Sequence, residues 1–263
     1  MKSLILGSAA LVAIAAAYPA RAADLLNEPI YSAPVTTPVY NWTGLYIGGN
    51  AGFGWGAQSI NQTGLDAFAK AAAAGGAIPT SFADDPKGFI GGGQLGYNYQ
   101  INRVVLGLEA DWQWADIKAS ETVKTFLFPN FFNFTTTGEQ KLESLGTARL
   151  RLGYTLFDPL LLYVTGGLAF GEREVSSSIT NPGCPGFCAA NSTSDTQEGW
   201  TLGGGAEYAF APHWSTKVDY LYYDLGTLTQ KLLDPKLPAT GWQQSVDFKG
   251  SIVRAGLNFK FGG

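Results

Sequence analysis

Side chains able to do chemistry are few in this sequence, and their spacing decides what they can do. One histidine, His213, is present, and it stands in Ala211-Pro212-His213-Trp214, a turn-like run between two patterned segments. Membrane hydrolases that work by general acid–base chemistry set a histidine beside carboxylate or serine partners at the outer end of the molecule, and the turn of His213 falls at the other end; only a histidine-free acyl transfer is left open by such counting. Cys184 and Cys188 sit four residues apart in Pro182-Gly183-Cys184-Pro185-Gly186-Phe187-Cys188. Spacing of this kind closes a small disulfide loop, whereas a zinc shell lacks its third and fourth ligands. No metal, cofactor or catalytic residue is therefore expected. The remaining candidates are charges: Glu109, Asp111, Glu207 and Asp219 against Arg149, Arg151, Lys217 and Arg254, with Lys260 at the margin. Each occupies one phase of an alternating segment, so the question becomes what those segments are.

From Asn41 onward the chain repeats one rhythm, about ten residues of period-two alternation followed by a short turn or a long polar excursion. Eight stretches show it: Trp42 to Trp55, Phe89 to Tyr99, Val104 to Ala115, Leu142 to Tyr154, Leu160 to Phe170, Trp200 to Phe210, Trp214 to Tyr223 and Phe248 to Phe261. Short links lie at Gln100 to Arg103, Thr155 to Pro159 and Ala211 to His213. Long ones lie at Gly56 to Gly88, Asp116 to Lys141, Gly171 to Gly199 and Asp224 to Asp247, the first with a short helix over Ala67 to Gly76. Short turns at one end and long loops at the other are the asymmetry of an antiparallel up-and-down transmembrane β-barrel with both termini periplasmic.

The faces of these strands separate cleanly. Val104, Leu106, Leu108, Ala110, Trp112 and Trp114 oppose Val105, Gly107, Glu109, Asp111 and Gln113; Val253, Ala255, Leu257, Phe259 and Phe261 oppose Arg254, Gly256, Asn258 and Lys260. A soluble sheet alternates too, but here the polar face is rich in glycine and the bulky aromatics, among them Trp42, Trp55, Tyr97, Trp112, Tyr154, Trp200 and Trp214, gather at strand ends as interfacial girdles do. The apolar face then meets lipid and the polar face lines a lumen. An eight-stranded barrel is about wide enough for its own side chains, so the near-balanced charges read as a paired plug, with a gated ion path as the alternative.

Export fits this solvent. Lys2, an apolar stretch from Leu4 to Ala17, Pro19 and Ala20-Arg21-Ala22 make a secretory signal over residues 1–22, too short to span a bilayer as a helix. Removing Lys2 and Arg21 with it leaves 15 basic against 21 acidic residues, a net charge of -6, which argues against nucleic acid as a partner. Residues 23–41, with Pro29, Pro34 and Pro38, read as an extended periplasmic arm, and 42–263 as the barrel.

Asn41-Trp42-Thr43-Gly44-Leu45-Tyr46-Ile47-Gly48-Gly49, Gly199-Trp200-Thr201-Leu202-Gly203, Ala211-Pro212-His213-Trp214 and Asp219-Tyr220-Leu221-Tyr222-Tyr223-Asp224-Leu225-Gly226 resemble the outer-membrane immunogenic protein, or opacity-type porin, family of small Gram-negative surface barrels. The resemblance implies an eight-stranded outer-membrane barrel, a surface-antigen or structural role and no catalytic residues. Gly256, Phe259 and Phe261 resemble the C-terminal signal read by the barrel-assembly machinery, although Gly262 and Gly263 follow the usual terminal aromatic; plain lipid-facing alternation explains the phenylalanines equally well. Outer-membrane lipid and lipopolysaccharide are the expected surroundings. Phe126, Phe128, Phe131, Phe132 and Phe134 around Pro129 are an aromatic density that either docks a host or envelope partner or continues the strands with the loop folded on itself.

Overall fold

A computed structural model describes residues 40–262 except 57, 128–131, 182–188 and 234–239. The chain divides into two units, residues 1–37 and 38–263, and the second is the barrel. The expected signal peptide, most of the arm, Cys184, Cys188, Phe128 and Phe131 lie outside the described residues.

Ten strands and one helix follow in the order β1 Gly44–Trp55, β2 Gln58–Gly64, α1 Ala67–Ala74, β3 Ser81–Asp84, β4 Lys87–Ile101, β5 Val104–Leu127, β6 Phe132–Phe157, β7 Leu160–Thr180, β8 Ala189–Ala211, β9 Trp214–Leu233 and β10 Gly241–Lys260. Eight of them close into an antiparallel ring, β1-β4-β5-β6-β7-β8-β9-β10, sealed by the pairing of β1 with β10 from Tyr46↔Lys260 to Trp55↔Ser251. Closure pairs β1 with β10 and so leaves the ring no open edge, which lipid requires. Outward positions carry Leu106, Leu108, Leu150, Leu152, Val164, Leu168, Leu202 and Val218, all exposed on the barrel wall. In water such a surface would be untenable; in a bilayer it is the required one. Tyr97, Tyr99, Tyr154, Phe210, Trp214 and Phe261 ring its periplasmic edge and Trp55, Phe89, Trp112, Trp114 and Trp200 its outer edge. No described helix is long and apolar enough to cross a membrane; the strands do so. At the periplasmic end the β4–β5 turn sets Asn102 at φ 55°, a left-handed conformation that asparagine tolerates better than most residues.

The long excursions differ from open loops in what they are made of. Strands β5 to β10 run 20 to 26 residues, where about 9–11 cross a bilayer. The stretch from Asp116 to Lys141 is mostly the outer halves of β5 and β6, paired from Ile117↔Leu142 to Leu127↔Phe132. Beyond the outer girdle the two faces exchange character. On β7 the lumen side changes from Thr165 and Gly167 to Val175 and Ile179, and the outer side from Val164 and Leu168 to Glu172, Glu174 and Ser176. Register shifts at Trp114/Ile117, Leu142/Ser144 and Asp247/Lys249 mark that level. At the last of them Gly226 takes φ 70°, a conformation that favours glycine, and Arg173 Nη1 donates to the carbonyls of Leu225 and Gly226 at 3.1 and 3.2 Å.

The first excursion builds a cap. β2 pairs with the outer end of β10 from Trp242↔Gly64 to Val246↔Ile60, and β3 pairs with β2. Asp66 caps α1 by accepting from the amides of Phe68 and Ala69 at 2.8 and 3.0 Å. Its other oxygen accepts from Gly241 N at 3.0 Å, tying the helix to the barrel rim. These backbone donors, that of Ala69 first, hold the Asp66 carboxyl below the usual carboxylate range.

Candidate functional site: the layered lumen

Since alternate residues of every strand point inward, the lumen is stacked in levels. The periplasmic floor is apolar: Trp42, 2% exposed, packs with Val105, Leu161, Tyr163 and Ala209, with Tyr40 against it. Trp42 Nε1 donates to the carbonyl of Asp158 at 3.2 Å. Lys260 lies at this end too, donating to the carbonyl of Asn41 with its ammonium 4.5 Å from the Tyr40 ring; no described ion pair includes it.

Above the floor all eight expected charges meet. Glu109 and Arg149 are register partners on β5 and β6 and are hydrogen-bonded, while Arg149 also reaches Asp111 at 2.6 Å. Arg254 on β10 holds Asp219 of β9 at 2.7 Å and Asp111 at 3.1 Å. Like the Arg254 to Asp111 pair, other contacts join strands that are not neighbours in the ring. Arg151 of β6 is hydrogen-bonded to Glu207 of β8, and Lys217 of β9 donates to both Glu109 oxygens at 2.9 and 3.0 Å. In a ring of eight, β5 and β9 are diametrically opposite, so the last contact spans the full width.

Four carboxylates against four cations leave the level electrically neutral, and none of the eight side chains is more than 4% exposed. Charges so far from water persist only when paired and hydrogen-bonded, and uncharged neighbours add bonds to the carboxylates. Tyr46 donates to Glu109 at 2.6 Å, Thr147 to Asp111 at 2.9 Å, and Ser215 and Asn258 to Glu207 at 2.5 and 2.8 Å. Arg151 stacks 3.6 Å from the centre of the Tyr163 ring. Glycine makes the space: a Cβ on Gly96 would stand 2.4 Å from the Tyr46 hydroxyl, and one on Gly205 would stand 2.8 Å from both Asp219 Cβ and the Tyr163 hydroxyl.

A second apolar level closes over the charges, with Ile90, Ile117, Leu142, Leu145, Leu221, Tyr223, Phe248 and Ile252 all buried. Next comes an uncharged polar belt in which Gln230 donates to Gln244 at 2.7 Å and Ser177 to Gln244 at 2.6 Å. Last is the cap, where Ala69, Ala77 and Ile78 pack on Phe134, Ile179, Leu232 and Trp242.

Several of these residues were not singled out in the sequence. Tyr46, Tyr163, Gln94 and Asn258 share the lumen phase with the charges, and that phase was their only signal. Arg173, 1% exposed with its guanidinium 5.1 Å from the Phe248 ring, fell in a stretch read as loop. Phe134, expected in the aromatic patch, turns inward and is 7% exposed, so it belongs to the cap and not to an outer surface. Phe126 and Phe132 lie in β5 and β6 as strand residues. His213 sits in the β8–β9 turn with Nδ1 3.1 Å from the carbonyl of Lys260, at the periplasmic end. Phe259 packs edge-on to Trp214 and Phe261 at 5.1 and 5.2 Å in the periplasmic girdle, and Gly256 faces the lumen beside Asn50 and Gln94.

The chain is similar to known proteins along nearly its whole length. A family model described as an outer membrane protein beta-barrel domain matches residues 8–261. The 31 kDa outer-membrane immunogenic protein of Brucella melitensis is 38% identical over 99% of this chain and 100% of its own; the 25 kDa outer-membrane immunogenic protein of Brucella abortus is 28% identical over 99% of each. Among solved structures, OprG of Pseudomonas aeruginosa gives a TM-score of 0.47 at 14% identity, covering 85% of this chain and 99% of its own. The outer membrane protease OmpT of Escherichia coli gives 0.48 at 10% identity, covering 82% and 97%. With its closed ring of strands and full-length kinship to the Brucella proteins, the chain belongs to the outer-membrane β-barrel family of the outer-membrane immunogenic proteins.

Proposed function

We propose that the protein serves the envelope as a closed structural barrel that holds its outer strands and cap at the cell surface, where they meet other molecules and immune recognition. The observation that supports a closed lumen is the Lys217 to Glu109 contact across the full diameter, set between two apolar levels. Surface display is supported by strands far longer than a bilayer needs and by relatives named as immunogenic. No catalytic role is assigned, since His213 stands in a periplasmic turn. The C-terminal aromatics remain the proposed handle for the assembly machinery.

A porin-like narrow channel is the second reading. It is favoured by Arg149 Nε and Nη1, Arg254 Nη1 and Gln113 Oε1, which are buried without a protein hydrogen-bond partner and could line a thread of water. Single-channel recording on the refolded barrel in planar bilayers separates the two, with Glu109→Gln and Arg149→Gln alongside. A silent wild type with leaking variants is the expected result. Steady conductance of the wild type would refute the closed barrel.

A further inference from the structure

Above the outer girdle the wall is built from a different set of strands. There β1 and β4 give way to β2 and β3: β2 pairs with β10 from Trp242↔Gly64 to Val246↔Ile60 and with β3 from Gln58↔Asp84 to Asn61↔Ser81. The far edge of β3 meets no ladder among the described strands, and β5 from Ala119 to Leu127 is paired with β6 alone. A wall that is closed at membrane depth therefore carries a seam between β3 and β5 above it, at a level where water can meet free backbone groups. Across the seam the Thr125 hydroxyl donates to the carbonyl of Ala77, which lies between α1 and β3.

The insert that runs from β2 to β3 joins the ring at a neck, where Gly56 N donates to the carbonyl of Pro86 at 2.9 Å. Part of its contact with the barrel is well matched. Ala69, Ala77 and Ile78 are buried against Phe134, Ile179, Leu232 and Trp242, and Gly241 accepts from the Leu65 amide at 2.9 Å while donating to the Asp66 carboxylate at 3.0 Å. The polar part is not matched. Gln62 of β2 is the register partner of Gln244 and is 4% exposed, yet neither polar atom of its side chain has a protein hydrogen-bond partner, and the same holds for Nε2 of Gln244 and Nε1 of Trp242. A buried polar group without a partner carries its desolvation penalty uncompensated. These atoms lie along one boundary, and separation of β2 from β10 returns all of them to water.

We propose that residues 58–84, which comprise β2, α1 and β3, are a lid that undocks from the barrel as one unit, hinged at the Gly56 to Pro86 neck and parting along the seam. A helix of 8 residues and a ladder of two short strands do not hold their shape alone in water, so undocking melts all three elements together. The open form bares Trp242 and the uncharged belt of Gln230 and Gln244 to the medium, while the apolar level of Ile117, Leu142 and Ile252 beneath keeps the lumen shut. The cell surface is thus shown two forms of one barrel.

The test is hydrogen exchange read by mass spectrometry on the refolded barrel in phospholipid vesicles, for the wild type, Gln62→Leu and Thr125→Val, each first shown to keep the heat-modifiable gel shift of a folded barrel. In the wild type the amides of β2, α1 and β3, corrected for their intrinsic rates, are expected to share one level of protection within about threefold, well below that of β9. Gln62→Leu takes two unpartnered atoms out of the boundary and is expected to raise protection in all three elements about tenfold. Thr125→Val removes the tie across the seam and is expected to lower it about fivefold, with β9 unchanged in both variants. Fast exchange of α1 beside a β2 as protected as β9 would overturn the lid, since the helix would then fray by itself. Protection unchanged or lowered by Gln62→Leu would refute the proposal from the other side, because opening would then relieve nothing at Gln62.

Discussion

The cross-lumen contact makes a quantitative claim, tested by replacing Lys217 with methionine and Glu109 with glutamine, singly and together. Both side chains are buried, at 0% and 4% exposure, and breaking a buried pair from one side costs about 3–5 kcal/mol because a charge is left uncompensated. Lys217→Met leaves Glu109 beside Arg149, with Arg254 at 3.7 Å and Arg151 at 3.9 Å; its cost belongs at the lower end, about 3 kcal/mol. Glu109→Gln leaves Lys217 with Asp219 at 3.5 Å alone and leaves one amide oxygen where Arg149 and Tyr46 each had a carboxylate oxygen, so about 4 kcal/mol is expected. The double variant restores neutrality with three carboxylates against three arginines, and Met and Gln fill most of the vacated volume. Its cost is expected to fall short of the sum by at least about 2 kcal/mol, a coupling well outside the scatter for independent sites. Urea unfolding in phospholipid vesicles, followed by tryptophan fluorescence and by the heat-modifiable gel shift, measures all four corners of the cycle. Losses that add within about 0.5 kcal/mol would show that the two groups do not act as one strut.

Two further outcomes concern the cap and the packing. Asp66→Ala removes the carboxylate that both caps α1 and binds Gly241 N, so trypsin should cut at Lys70 in the variant while sparing the wild type; equal resistance would mean the cap stands without it. Because the folded Asp66 carboxyl is held below its ordinary range, the stabilisation is present at neutral pH and is lost as pH falls through the carboxylate range. Amide exchange in α1, corrected for its intrinsic rate, should therefore rise on acidification in the wild type and change less in Asp66→Asn. Gly205→Ala places a methyl 2.4 Å from the Val218 carbonyl and 2.8 Å from Asp219 Cβ, an overpacking expected to cost about 1–3 kcal/mol in the same urea assay; an unchanged midpoint would show that the lumen is looser than these distances state.

The membrane-spanning half of the barrel was legible because its signal has one phase, apolar outward and polar inward, from Leu45 to Trp55 or from Val253 to Phe261. The outer half was not, because the phase inverts where lipid ends. On β9, Val218, Tyr220 and Tyr222 face out and Lys217 and Asp219 face in; a few residues later Asp224 faces out while Leu225, Leu228 and Leu232 are buried. A reader following one phase sees the pattern dissolve at this level and writes a loop. The eight charges were found because charge on an enclosed face stands out. Tyr46, Tyr163 and Asn258 were missed because a polar residue on a polar face announces nothing about its partner. Arg173 was hidden by its acidic neighbours Glu172 and Glu174, which gave the segment the look of a solvated loop although only the arginine turns inward.

The charge level also resolves an ambiguity that hydrophobic pattern leaves open. Alternation has period two, so a slip of two residues between neighbouring strands would keep every lipid-facing residue on the lipid side. Between β5 and β6 such a slip in one direction would set Glu109 opposite Thr147 and Asp111 opposite Leu145, in place of the observed Arg149 and Thr147. Arg149 would then face Gly107, and its pairing with Asp111 would be lost. Each misplaced ion in a water-poor lumen costs several kcal/mol, more than the few tenths to one kcal/mol that a cross-strand apolar pair supplies. The cross-lumen contacts extend this constraint to strands that are not neighbours: Lys217 fits Glu109 only if the registers of β5 through β9 are all correct together. A network that adds little net stability, given the desolvation of its members, thus selects one closed ring from among the shifted rings that the same pattern of faces would allow.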